Sequence, residues 1–190
     1  MVWYIIWLTI VTLTKSSFSS QYVNYKVGDS AIIFSCPHGS RIKPSELSDR
    51  KYGCYDKDSE ICDYSVDNAN GTICNNTKSE LKKCTPSMVT DIHTVEVCQS
   101  LDKEMQKLGV NPYVVILNIS RTKIDANRKI FKATQNNSLA IEIYEEYHQN
   151  IADSIDVING PAILFDIHGH GHAMQWIELG YTLTSTELNE

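Results

Sequence analysis

The chain has 190 residues and a formal net charge of −6, and 21% of its residues are charged. This length is enough for one domain with a sizeable core but scarcely for two. Because the chain is mildly acidic and carries no basic cluster along its sequence, we expect neither nucleic acid nor an anionic membrane as a partner.

The apolar run at residues 2–13 predicts a secretory signal peptide over residues 1–19. The run is shorter than the roughly 20 apolar residues that span a bilayer. Ser17 and Ser19 occupy the small-residue positions that precede a cleavage after Ser19. A short membrane anchor is the alternative. We therefore expect a secreted protein in which residues 20–190 form a single domain without membrane contact.

The first element predicted beyond this peptide is a buried strand at residues 31–34. Residues 49–87 follow with little hydrophobic periodicity and four of the six cysteines, which predicts a disulfide-tied surface insertion or a long loop. Disulfides are expected because the cysteines are even in number and the chain is secreted, and zinc binding by cysteine is the alternative. Six cysteines allow 15 pairings, among which the sequence does not choose. Four Asn-x-Ser/Thr triplets predict N-glycosylation, at Asn70, Asn75, Asn118 and Asn136.

Helices and strands then alternate to residue 165. A helical pattern runs from Thr90, the expected N-cap, to a stop at Gly109, and a second one has an apolar residue every four positions over residues 139–151. Uninterrupted apolar runs at residues 113–117 and 162–165 predict two more strands covered on both faces. Strands alternating with helices indicate an α/β fold with a mainly parallel sheet.

Residues able to bind metals and anions follow each predicted strand. His38 ends the first strand, Arg121 follows the second and His168 ends the third. In open α/β sheets, binding sites form outside the carboxyl ends of the strands. Two histidines at the ends of different strands, near arginines that can hold anions, therefore indicate a candidate site.

Four short blocks of the chain resemble, in order, those of the N-formylglutamate amidohydrolases, which are relatives of the zinc carboxypeptidases. They are Pro37-His38-Gly39-Ser40, Thr90-Asp91-Ile92-His93, Ser120-Arg121 with Asp125, Asn127 and Arg128, and Asp166-Ile167-His168-Gly169. The resemblance covers residues 30 to about 172 and skips the cysteine-rich segment. It implies a three-layer fold with a mainly parallel sheet and helices on both faces, of which the chain holds only a part.

The resemblance also implies a zinc-dependent hydrolase that cleaves the amide bond of a small carboxylate-bearing N-acyl amino acid or peptide. A catalytic zinc has about three protein ligands and a position open to water. Arg41 stands where the carboxypeptidases have their acidic ligand, so Asp91 is our candidate for the third ligand. The expected residues are His38, Asp91 and His168 for the metal, Arg121 and Glu178 for catalysis, and Asn127, Arg128 and His148 for the substrate.

Each of these roles has a simpler alternative. Asp91 is also well placed to satisfy free N–H groups at a helix N-terminus, and Arg121 and Arg128 are also typical of surface ion pairs. The general-base glutamate of the family lies further along than this chain extends, and Glu178 is more typical of an exposed loop. The competing hypothesis is therefore a non-catalytic, disulfide-bonded secreted glycoprotein that keeps the scaffold and binds a ligand or a protein partner.

Overall fold

The computed structural model describes residues 20–65, 74–173, 176–178 and 180. The expected signal peptide and the triplet at Asn70 lie outside these residues. The described part contains six strands and four helices: β1 (Val23–Lys26), β2 (Ile32–Cys36), β3 (Cys54–Asp56), β4 (Ile61–Asp63), α1 (Lys78–Cys84), α2 (Thr94–Lys107), β5 (Tyr113–Leu117), α3 (Ile130–Thr134), α4 (Ser138–Val157) and β6 (Ile163–Asp166). None of these helices is both long and apolar enough to cross a membrane.

Four strands form the main sheet, in the order β1-β5-β2-β6. The three predicted strands β5, β2 and β6 are parallel, and Phe34 of β2 lies opposite Val114 and Phe165. β1 was not predicted and pairs antiparallel with β5, so the sheet is mixed. The predicted α/β class is confirmed, while the three-layer arrangement of the carboxypeptidases stays a prediction.

Alternate residues of β5 belong to two hydrophobic clusters. Val115 and Leu117 pack with residues of α4, whereas Val114 and Ile116 pack with residues of α2. All five residues of β5 are buried. This explains why β5 is an uninterrupted apolar run, since side chains that alternate in direction both meet apolar neighbours.

The strand β6 forms as predicted, but it is not buried. The exposed fractions of Ile163, Leu164 and Phe165 are 56%, 45% and 40%. β6 is the last strand of the sheet, and no other strand of the described residues pairs with its outer edge. The prediction of a strand covered on both faces is therefore wrong for β6.

The predicted helices differ mainly in where they begin. Thr90 is not the N-cap of α2, which begins at Thr94 after His93, whose φ of +68° is left-handed. α4 begins after Asn137, whose side chain accepts a hydrogen bond from the Ala140 N–H at 2.9 Å. Side-chain capping of this kind satisfies one of the free N–H groups of the first turn.

The cysteine-rich segment is a small folded unit and not a plain loop. β3 and β4 form a two-stranded antiparallel sheet, and α1 follows them. Two disulfides lie within the segment, Cys54–Cys74 and Cys62–Cys84. The third, Cys36–Cys98, joins the end of β2 to α2. No cysteine of the described residues is free, which agrees with the disulfide interpretation.

Candidate metal centre

The three predicted ligands converge at the carboxyl edge of the sheet. His38 follows β2, His168 follows β6, and Asp91 lies just before α2. The Nδ1 atom of His168 lies 3.3 Å from Nδ1 of His38 and 2.9 Å from Oδ2 of Asp91, and the remaining pair is 3.7 Å apart. Ligands of a tetrahedral zinc, bound at about 2.0–2.1 Å, are about 3.3 Å from one another. The three atoms therefore have the spacing of a zinc ligand set.

The second nitrogen of each histidine faces a carboxylate. Nε2 of His38 lies 2.8 Å from Oδ1 of Asp125, which is fully buried. Nε2 of His168 lies 2.8 Å from Oδ2 of Asp166. A carboxylate at Nε2 favours a proton on that nitrogen and leaves Nδ1 free as a ligand. Both histidines are thus held with Nδ1 towards the same point.

Asp125 belongs to the third of the four blocks that resemble the amidohydrolases, but no role was predicted for it. Its other oxygen accepts a hydrogen bond from Arg121 Nε at 3.0 Å, and Arg50 lies 3.6 Å away. Burial raises the pKa of Asp125, but the hydrogen bond from His38 and the charge of Arg121 outweigh burial and hold that pKa well below its usual range. Asp125 is therefore a carboxylate at neutral pH, as a partner for His38 requires.

Asp166 is held by a buried chain of hydroxyl groups. Ser35 donates to Oδ1 of Asp166 at 2.5 Å, and the Ser35 and Tyr147 hydroxyls are 2.8 Å apart. Tyr147 is 1% exposed, and burial raises its pKa, so it keeps its proton. The chain therefore runs from the Tyr147 hydroxyl through Ser35 and Asp166 to His168.

The charge on Asp166 and Asp91 stabilises the protonated form of His168 when no metal is bound. The hydrogen bond to Asp166 is the largest influence raising the pKa of His168, burial opposes it, and Asp91 adds to it. A site that attracts a proton between two carboxylates also attracts a cation.

The Asp91 carboxylate does not cap α2. Oδ2 lies 2.9 Å from Nδ1 of His168 and accepts a hydrogen bond from the Gly169 N–H at 3.2 Å, and α2 has no side-chain cap. Gly39 lets the loop after β2 approach the helix, because a Cβ there would lie 2.5 Å from Thr94 Oγ1. The alternative prediction, that the Asp91 side chain caps the helix, is therefore wrong.

The other predicted residues are distributed unevenly around this centre. Arg121 lies beside it, with Nη1 3.8 Å from Oδ1 of Asp91, and the Asn127 amide donates to Asp166 at 2.7 Å. Arg128 is exposed, and its Nη1 donates to the Asn127 carbonyl. His148 has Nε2 3.0 Å from the Ala126 carbonyl, so it contacts the loop that carries Asp125 and Asn127.

Glu178 belongs to a separate exposed group. Its Oε1 lies 2.5 Å from His172 Nδ1 and accepts a hydrogen bond from Trp176 Nε1 at 2.5 Å. Glu178, His172 and His170 form a second, wholly exposed set of groups that could hold a metal ion. The contacts of Glu178 thus do not include the three converging atoms at the carboxyl edge.

Comparison of the chain with family models, with curated proteins and with solved structures yields no significant match. The resemblance to the amidohydrolases therefore stays a prediction.

Proposed function

We propose that this protein is a secreted, zinc-dependent hydrolase of amide bonds, built on the three-layer scaffold that the amidohydrolase resemblance implies. The observation that carries the proposal is the convergence of His38 Nδ1, His168 Nδ1 and an Asp91 oxygen, with a carboxylate behind each imidazole. Two imidazoles and one carboxylate are a ligand set used by catalytic zinc.

The surrounding residues supply the remaining chemistry of such a site. Zinc held by these ligands would polarise an amide carbonyl and activate water. Arg121 is fixed by Asp125 with its guanidinium beside Asp91, where a permanent positive charge stabilises a developing oxyanion. Asp125 and Asp166 hold the two imidazoles in place.

The proposed substrate is a small N-acyl amino acid or peptide with a free carboxylate. Asn127 and Arg128 offer amide and guanidinium donors, and guanidinium groups bind carboxylates especially well. The Asn127 amide lies 2.8 Å from Nε2 of His168, so this donor adjoins the metal centre. Exposed Asn75 and Asn136 are the proposed glycosylation sites of the secreted chain.

Zinc analysis of His168→Ala tests the proposal. We expect the purified wild-type protein to bind close to one zinc at the centre, and His168→Ala to lose that zinc while its circular dichroism stays unchanged. His93→Asn is the matched control, because His93 is exposed and belongs to neither group of candidate metal ligands. Hydrolysis of N-acyl amino acids should disappear with a chelator and return with zinc. Equal zinc content in both variants would rule the centre out.

The contacts of Glu178 favour a second candidate function, that of a non-catalytic secreted glycoprotein. The candidate general base is paired with His172 and Trp176, and its contacts do not include the candidate metal ligands. A protein with intact ligands but no base is expected to bind zinc without hydrolysing amides. Zinc binding at His168 together with no turnover of any N-acyl amino acid would favour this alternative.

A further inference from the structure

A cavity of about 230 Å³ lies between the cysteine-rich segment and α3, and its named lining residues do not include the three candidate metal ligands. Five of its lining residues are cationic, and none of the named lining residues is acidic: Arg50, Lys82, Lys83, Arg128 and Lys132. We call it the basic cavity. The five residues come from four separate parts of a chain whose net charge is −6, so the fold concentrates positive charge here.

Most of these cations have no acidic partner in the part of the chain that the structure describes. Among the described residues, no ion pair involves Lys82, Arg128 or Lys132. Lys83 contacts the Tyr55 hydroxyl at 3.1 Å and lies over that ring. Like charges gathered without a counter-ion repel one another, and a bound anion relieves that repulsion.

Arg50 gives the basic cavity a rigid wall. Its side chain is buried and donates to the carbonyls of Ser87, Arg121 and Lys132. Burial lowers the pKa of Arg50 to about 10, with Asp125 opposing, so the group stays charged at neutral pH. A guanidinium fixed by backbone carbonyls requires little reorganisation when an anion binds.

We infer that the basic cavity binds a compact polyvalent oxyanion, namely phosphate or sulfate, either free or as a monoester. Its volume lies below the roughly 300–1,000 Å³ of pockets for drug-sized ligands, which favours a compact group. Half-buried Tyr64 also lines the cavity, and ammonium and guanidinium groups are strong donors to phosphate oxygens. The basic cavity shares Arg128 with the proposed substrate site, but anion binding in the cavity does not require hydrolysis of an amide.

Isothermal titration of the full mature protein with inorganic phosphate, sulfate and phosphoserine at constant ionic strength tests the inference. We expect saturable binding that weakens about tenfold or more in the double variant Lys82→Gln/Lys132→Gln, because two charged donors are removed. Lys43→Gln/Lys103→Gln is the matched control, since both lysines are exposed and the net charge changes equally. Binding of inorganic phosphate but not phosphoserine would indicate a site for the free ion, and binding of both a site that also accepts the ester.

Three further results would overturn the inference. Equal weakening in both double variants would indicate attraction by net charge alone, and absence of saturable binding would show that there is no site. Loss of phosphate binding in His168→Ala would place the anion on the candidate metal centre. Conversely, phosphate binding that persists in His168→Ala, when that variant binds no zinc, keeps the two sites distinct.

Discussion

The carboxylates behind His38 and His168 decide which nitrogen of each ring is free to bind a metal. Asp125 is itself held by Arg121, and Asp166 by Ser35, so neither carboxylate can turn away without breaking partly buried hydrogen bonds. Groups of this kind commonly contribute 10- to 100-fold to metal affinity. At the scale of single residues, the geometry of the candidate centre thus depends on Asp125 and Asp166 as much as on the candidate ligands themselves.

We predict that Ser35→Ala lowers both stability and zinc affinity, whereas adding Tyr147→Phe restores only stability. Ser35→Ala removes a donor to Asp166 and leaves the buried Tyr147 hydroxyl without its acceptor, which costs about 1–3 kcal/mol. The double variant removes that unpaired hydroxyl, yet Asp166 still lacks Ser35, so zinc should stay bound about tenfold more weakly. Chemical denaturation and chelator competition measure the two effects. Recovery of zinc affinity in the double variant would show that Ser35 does not support His168 through Asp166.

At the scale of elements, short helices and turns position residues of both the basic cavity and the candidate metal centre. α1 begins with a capping box in which Thr77 and Glu80 each accept a hydrogen bond from the backbone N–H of the other. The same helix carries Lys82 and Lys83, so the position of its last turn determines where two of the three lysines of the basic cavity lie. The left-handed His93 likewise turns the chain between Asp91 and α2.

We predict that the stabilising effect of the capping box is lost in acid. The Thr77 N–H is the main influence holding the pKa of Glu80 below its usual value of 4.5, and Lys57 adds to it. Because the folded pKa is depressed, the contribution is fully present above about pH 4.5 and is lost as the pH falls through the folded pKa. Thermal unfolding of wild type and Glu80→Gln from pH 7 to pH 3 should give melting temperatures that converge in acid. If the two melting temperatures differ by the same amount at every pH, the ionised Glu80 carboxylate does not stabilise the helix.

At the scale of the whole molecule, three disulfides connect parts that the sheet alone does not hold together. Cys36–Cys98 closes 62 residues and ties the strand that leads to His38 to the helix beside Asp91. Cys62–Cys84 closes 22 residues within the cysteine-rich segment, next to Lys83. The two bridges therefore support different sites.

We predict that the two bridges can be separated by their effects on binding. Replacing Cys36 and Cys98 by alanine should cost about 4 kcal/mol of stability, because the loop-closure entropy rises with the number of residues enclosed. The same replacement should weaken zinc binding, because this bridge ties the strand before His38 to the helix after Asp91. Replacing Cys62 and Cys84 should cost about 3 kcal/mol and weaken phosphate binding while zinc affinity stays unchanged. Denaturation with both titrations on each variant makes the comparison. If the loss of either disulfide weakens zinc binding and phosphate binding equally, the two candidate sites are not supported independently.

Much of this organisation could be predicted along the chain. The apolar runs predicted β2, β5 and β6. For β5 the reason is that a strand with neighbours on both faces needs apolar side chains in both directions, whereas the run of β6 lies on an exposed strand. His38 and His168 could be expected at one edge because both follow parallel strands. β1 was missed because it is short and only partly buried, and the start of α2 because a left-handed histidine leaves no capping signature.

The sequence by itself determined the α/β class, the disulfide-rich segment and the three residues that converge. The class and the cysteine-rich segment depend on local composition and on the period of a strand or helix, which neighbouring residues display directly, whereas the role of Asp91 was implied by the resemblance to the amidohydrolases. The tertiary structure alone decided that Asp125 supports His38, that Tyr147 reaches Asp166 through Ser35, and that five scattered cations line one cavity. Such contacts join residues up to 131 positions apart, and only the order of strands in the sheet and the disulfides bring them within hydrogen-bonding distance.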